Sequence, residues 1–326
     1  MELTTNNHPE SMILESSEIV NSTNSSFIEA NTQKVSLEHL KKECIIPVFS
    51  KDNESTISHY EFINKTFELT QSLYPECNPR MPDIRVSHTI KGRIPSAIGK
   101  PAKELLDYEK TIYYERCAFV IEIPQIKEVV NGNELTLSIG GVRSYNQENL
   151  YSKKSLEKFK VFIGFKNLVC TNLCISTDGF SNDIRIGSIL DLENSVEALL
   201  SCYDVDKQLG MMERMSMFNL SERQFAHFIG KLRMYQHIDK SNKHGKFPFL
   251  LNDSQINNVV KDYYSCPNFR RQDDGSINLW NLYNLFTESN KSSYIDNNFE
   301  RNVNTYEFVN HLVNSIQNDT FDWYMI

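Results

Sequence analysis

CAFVIEIPQIKEVVNGNELTLSIGGVRSYN, residues 117–146, decides the fold. Two β-rich runs flank Asn131-Gly132, a pair suited to a two-residue type I′ turn because both positions tolerate positive φ. The stretch predicts a β-hairpin. A further strand follows in EKFKVFIGFK (157–166), where Phe159, Val161, Ile163 and Phe165 share one face and Lys158, Lys160, Phe162, Gly164 and Lys166 share the other. That alternation predicts an apolar inner face under the C-terminal helices and a lysine-bearing face that meets water and protects an edge strand.

Outward from this β region, spanning about 84–180, both flanks turn helical. Helices are expected at SLEHLKKEC (36–44) and at TISHYEFINKTFELTQSLY (56–74), where Ile57, Tyr60, Ile63, Phe67 and Tyr74 recur at helical spacing. PECNPRMPD (75–83) then stops helix formation, because prolines remove donors and restrict their neighbours. Beyond 187 the chain predicts one long helix or two abutting ones over 188–215, a helix over 221–238 opened by Ser221 and Gln224 in capping-box spacing, and helices at 254–264, 277–288 and 304–316. The class is α+β: a central antiparallel β-sheet with short N-terminal helices and a helical C-terminal region. Residues 1–34 read as a flexible acidic tail, 35–205 as an α+β domain and 206–326 as a helical region packed on the sheet, either separate from that domain or continuous with it. The apolar islands MIL and SFI within the tail suit short partner-binding peptides, though a frayed end accounts for them as well.

The chain has 326 residues, 40% hydrophobic and 23% charged, the balance of a soluble globular protein with a sizeable core. No apolar window is long enough to span a bilayer, and MELTTNNHPESMILESSEIV has neither the basic start nor the apolar stretch of a secretory signal, so no membrane association and a cytoplasmic location are expected. Seven cysteines at scattered spacings do not form a disulfide framework and fit a reducing compartment.

A net charge of −8 argues against nucleic acid until it is mapped. Acidic residues concentrate in 1–34 and 287–326, leaving a body close to neutral whose cations cluster at Arg85, Lys91, Arg93, Lys100 and Lys103, at Lys153, Lys154, Lys158, Lys160 and Lys166, and at Lys231, Arg233, Lys240, Lys243 and Lys246. Such clusters suit a nucleic-acid face, although charge runs on folded domains are commonly plain solvated surface.

Catalytic chemistry finds little footing. Cys170 and Cys174 in CTNLC lack the second pair of a closed zinc site, and His227, His237 and His244 lie far off in sequence. Asp273-Asp274-Gly275 lacks the alternating acidic ligands and distal glutamate of a calcium loop and reads as a turn before a helix. No glycine-rich phosphate loop is present, and no catalytic residue, metal or cofactor is assigned. The remaining candidate is the lysine-bearing strand: Lys158, Lys160 and Lys166, with Lys231 and Arg233, would contact phosphates, while Phe162 or Tyr151 would stack on splayed bases, as in sequence-tolerant single-strand binders.

At FKNLVCTNLCIS (165–176) and LWNLYNLFT (279–287) the chain resembles the DUF3871 family of Bacteroidota. More distantly it resembles the DUF932 phage- and plasmid-type proteins, with an Arg-Val-Val-Cys-x-Asn strand end and a later Trp-x-x-x-Asn helix. Val169-Cys170-Thr171-Asn172, Trp280 and Asn284 follow that order, whereas Lys166-Asn167-Leu168 departs from the arginine of the broader pattern. The resemblance spans 36–320 and implies a setting, not a mechanism: accessory cargo of phages, plasmids and integrative elements, with no catalytic residues to carry over. The expected function is a non-enzymatic protein handling single-stranded DNA in replication, recombination or transfer. Two alternatives stand beside it: an interaction module, such as an inhibitor of a host defence system using its acidic ends, and an enzyme with a dispersed site.

Overall fold

The structure, a computed structural model, describes residues 26–44, 56–97, 99–147, 156–243, 246–320 and 322–325. The central hairpin forms as the sequence requires. β5 (Arg116–Val130) and β6 (Asn133–Ser144) are joined at Asn131 and Gly132, both at positive φ (47° and 77°), so the turn twists with its strands. The pairing slips between Ile123 and Lys127, where Pro124 has no N–H for the ladder; the Thr136 hydroxyl donates to the Ile123 carbonyl (3.0 Å) across the irregularity.

Around this hairpin the sheet runs β1 (Gln33–Val35), β2 (Asp83–Val86), β5, β6, β7 (Glu157–Asn167) and β8 (Leu173–Cys174), all antiparallel neighbours, with β9 (Phe180–Ile186) also paired to β7. A separate ladder joins β3 (Thr89–Arg93) to β4 (Lys110–Tyr114). Before the sheet lie α1 (Leu37–Lys42) and α2 (His59–Leu73), capped by Ser36 and Ser58. After it come α3 (Ile189–Cys202), α4 (Val205–Met217), β10 (Asn219–Leu220), α5 (Glu222–Gln236), α6 (Asp253–Ser265), β11 (Ile277–Asn278), α7 (Leu279–Asn290) and α8 (Ile295–Gln317). The expected stretch 188–215 is therefore two helices, parted at Tyr203 and restarted by the Asp204 side chain, which accepts from the Lys207 N–H. The Ser221–Gln224 capping box forms as its spacing implies. At the C-terminal end, α8 begins nine residues earlier than the periodicity over 304–316 suggests. β10 and β11 pair through Leu220 and Ile277, clasping α4–α5 to α6–α7. Asp273-Asp274-Gly275 is a turn, with Gly275 at φ 84° and the Asp274 carboxylate accepting from the Ser276 N–H.

Both sheet faces are covered. Phe119, Phe159 and Phe62 of α2 pack edge to face (5.1 and 4.8 Å between centroids) on one side. On the other, Ala118, Val120, Val142, Phe162, Leu173 and Ile175 lie under Ile295, Phe299 and Val303 of α8. Phe27 and Ile28 complete that second layer, and the Glu29 N–H donates to the Lys291 carbonyl (2.8 Å). So the SFI island, read as part of a flexible tail over 1–34, is core, and the end of that span enters β1; residues 1–25, with the MIL island, lie outside the described residues. The sequence reading of β7 is corrected as well. It is an interior strand between β6 and β8/β9: on its lysine face Lys160 and Phe162 meet α8, Lys166 pairs with Glu122 of β5, and only Lys158 is part-exposed.

Candidate nucleic-acid interface

Burial decides what each candidate residue can touch. Phe162 is fully buried, edge to face with Phe299 (4.7 Å), and is corrected from a base platform to a core side chain. Lys160, 9% exposed, pairs with Glu300 (2.6 Å) and donates to the Asp296 carbonyl (2.8 Å); Lys166, 8% exposed, pairs with Glu122 at hydrogen-bond contact. Neither amine is presented to a ligand. Lys158 is the half-buried member of the strand, 3.7 Å from Asp183, in a cleft of about 270 Å³ whose lining balances Lys158 and Lys160 against Asp183 and Glu300. Arg233 engages Asp253 through two nitrogens (2.8 and 3.1 Å) on α5, which also carries the half-buried Lys231. Tyr151, Lys153 and Lys154 lie outside the described residues, as does His244. The structure thus does not bring the strand's lysines, Lys231 and Arg233 into one open surface.

Of the two cysteines in CTNLC, Cys174 is buried and Cys170 half-buried. Burial pushes the Cys170 thiol up to about 12 and the Cys174 thiol higher still, so both are held as neutral thiols. Among the described residues, no three His, Cys, Asp or Glu side chains converge to hold a metal ion.

Open cationic surface occurs instead on the β3–β4 ladder. Its register sets Lys91 opposite Ile112 and Arg93 opposite Lys110, and opposed residues in an antiparallel pair project to the same face. Lys91, Arg93 and Lys110 therefore share one face. Gly92 opposite Thr111 belongs to the other, where a side chain at Gly92 would meet the Thr111 hydroxyl at 2.8 Å. Cys44 forms a parallel bridge to Ile112, bringing the end of α1 against the ladder with Lys42 and Glu43 beside it. The result is a groove of about 770 Å³ lined by Lys42, Lys91, Arg93 and Lys110, by a single carboxylate, Glu43, and by Leu105 and Tyr108.

The connection from β3 to β4 forms one wall. Its three short 3₁₀ turns end at Asp107–Glu109, where the Glu109 carboxylate accepts from the Leu106 N–H (2.9 Å) and the Lys100 ammonium, and the Ile94 N–H donates to the Glu109 carbonyl (3.0 Å). Lys100 and the Leu106 N–H together hold the Glu109 carboxyl below its usual range. Lys42 and Lys110 have exposed partners within one turn, Glu38 (2.6 Å) and Asp107 (2.7 Å), and such pairs are worth little against a polyanion. Among the described residues no carboxylate pairs with Lys91 or Arg93; the Arg93 guanidinium donates to the Lys100 carbonyl. The sequence reading grouped Lys91 and Arg93 but missed Lys42, Lys110 and Tyr108, because register alone joins them. The available signal was the alternation Lys91-x-Arg93 facing the basic start of a second strand.

Among the described residues no helix is long and apolar enough to cross a membrane. No curated protein and no solved structure matches the chain. One family model does, the one described as "Domain of unknown function, B. Theta Gene description (DUF3871)", over residues 8–325. With nearly its whole length covered, the chain belongs to the DUF3871 family.

Proposed function

We propose that this protein is a non-enzymatic DNA-binding protein that holds the phosphate backbone in the β3–β4 groove, serving replication, recombination or transfer of a mobile element. The observation that carries the reading is the opposition of Arg93 and Lys110 with Lys91 on the same face. Like charges at opposed positions destabilise a sheet, so folding alone gives no reason to place them there. An incoming phosphate supplies an anion to Lys91 and Arg93, which no carboxylate pairs among the described residues, and competes with the exposed Asp107 for Lys110.

The rival reading, an interaction module built on acidic ends, is weakened at the C-terminal end. Glu288 pairs with Lys291 (2.9 Å), Asp296 with Arg116 (2.8 Å) and Glu300 with Lys160 (2.6 Å), so these carboxylates are spent inside the fold.

The test is anisotropy of labelled oligonucleotides at two salt concentrations. Four cations releasing counterions predict a log–log slope of about −3, or a roughly fifty-fold loss between 50 and 200 mM salt. Changing Lys91, Arg93 and Lys110 together to Glu should remove binding, whereas Lys158→Glu should leave it within two-fold. Absence of binding at low salt defeats the proposal. Loss with Lys158→Glu alone moves the interface back to β7.

A further inference from the structure

Resting on the groove just described, we propose that Tyr108 is a base-stacking residue and restricts the groove to unpaired strands. Tyr108 is 72% exposed, and Leu106 beside it 52%. Exposure alone marks nothing, since Tyr264 and Tyr294 are open as well; what sets Tyr108 apart is its surroundings. It lies among the groove's cations, the pairing of π-face and positive charge by which single-stranded nucleic acid is held without regard to sequence.

The turn that carries the ring is fixed on both sides. Leu106 and Glu109 bond reciprocally, Leu106 N–H to the Glu109 carboxylate and Glu109 N–H to the Leu106 carbonyl (3.0 Å). Lys100 braces Glu109, and Lys110 reaches back to Asp107 (2.7 Å). The backbone of Tyr108 is thus held while its side chain stays solvated, so little ordering entropy remains to be lost on stacking.

Spacing agrees with this assignment. Lys91 and Arg93 are two residues apart on one strand, about 6.6 Å along its axis, a step comparable to that between successive phosphates of an extended single strand. Phosphates tracking along β3 leave a base free to turn towards the wall where Tyr108 stands. A base locked in a duplex presents only its edge to the groove and cannot cover the ring.

The experiment compares a single-stranded oligonucleotide, an abasic strand of equal length and charge, and the duplex, each against the full chain, Tyr108→Phe and Tyr108→Ala. The unmodified protein and Tyr108→Phe should prefer the base-bearing strand over the abasic one by roughly ten- to a hundred-fold, the range of one aromatic stack. Tyr108→Ala should bind both equally, with its salt slope unchanged. Equal binding of the base-bearing and abasic strands by the unmodified protein, with a normal salt slope, overturns the stacking role and leaves the groove reading intact. Failure of every strand to bind overturns both. Because Tyr108 is exposed, its variants should match the parent in melting temperature, and that comparison guards against a folding artefact.

Discussion

Arg93 and Lys110 stand directly opposite one another across the β3–β4 ladder, two cations where an ion pair would be expected. Replacing one of them by an acid should therefore separate stability from binding. Lys110→Glu converts a repulsive pair into an attractive one at the loss of the exposed Lys110–Asp107 contact, and is expected to leave stability unchanged or raised by up to about 1 kcal/mol, read from urea denaturation. The same variant should bind DNA at least five-fold more weakly. A variant that loses stability and binding together would show that the opposition is structural.

His59 gives the fold an acid-sensitive point. It is buried and stacked on Tyr145 (4.4 Å), with Nε2 against the Tyr114 carbonyl (2.9 Å). Burial, aided by the nearby Arg143 cation, pushes its pKa down to about 3. The unfolded chain takes up this proton near pH 6.5 and the folded chain only near 3. The contribution of neutral His59 is thus complete above pH 6.5 and is lost as pH falls from 6.5 towards 3, with a limiting slope of about 1.4 kcal/mol per pH unit. Denaturation midpoints across that window should fall in the parent and fall less steeply in His59→Gln.

The buried pair of Arg143 and Glu157 should not tolerate loss of one partner. Arg143 is 1% exposed, reaches Glu157 and the Ile57 carbonyl, and lies over the rings of Tyr145 and Phe159 (4.6 and 4.5 Å). Glu157 also accepts from the Ile57 N–H (3.2 Å). Glu157→Leu takes the Glu157 carboxylate away from a buried guanidinium and should cost about 3–5 kcal/mol. The double change Arg143→Met, Glu157→Leu should recover a large part of that loss in guanidinium denaturation. A double variant as unstable as the single one would mean that the contacts to Ile57 dominate.

Gly140 sits where sheet and ring leave no room. A Cβ there would strike the Phe119 carbonyl oxygen and come within 2.6 Å of the Phe162 ring. Both neighbours are core, so Gly140→Ala is expected to destabilise by about 1–3 kcal/mol or more. Gly132→Ala, with open space but φ at 77°, should cost less and act through the turn alone. Comparable losses at the two positions would argue that the ring moves aside.

What the sequence disclosed was local. Asn131-Gly132 announced the hairpin through its own conformational preference, and Ser221 with Gln224 announced a helix start through a bond spanning three residues. What it hid depends on distant partners. Lys160 reads as a surface cation until Glu300 arrives from 140 residues away, and Lys166 until Glu122 crosses the sheet. Alternation on β7 was seen correctly, but it cannot say that α8 covers the polar face. The groove was half legible for the same reason. Lys91 and Arg93 are neighbours in sequence, whereas Lys42 and Lys110 join them only through the Cys44–Ile112 bridge and the ladder register.

The layer over Phe162 has a consequence for synthesis. One face of the sheet is closed by Phe27 and Ile28 from near the start of the chain and by Ile295, Phe299 and Val303 from near its end. Until α8 is synthesised, Phe27 and Ile28 alone can cover Val120, Val142, Phe162 and Ile175, and a sheet already formed would display the part of that face that α8 closes. Completion of the fold waits for α8 to leave the exit tunnel, so the nascent sheet is a natural client for a chaperone that shields apolar surface.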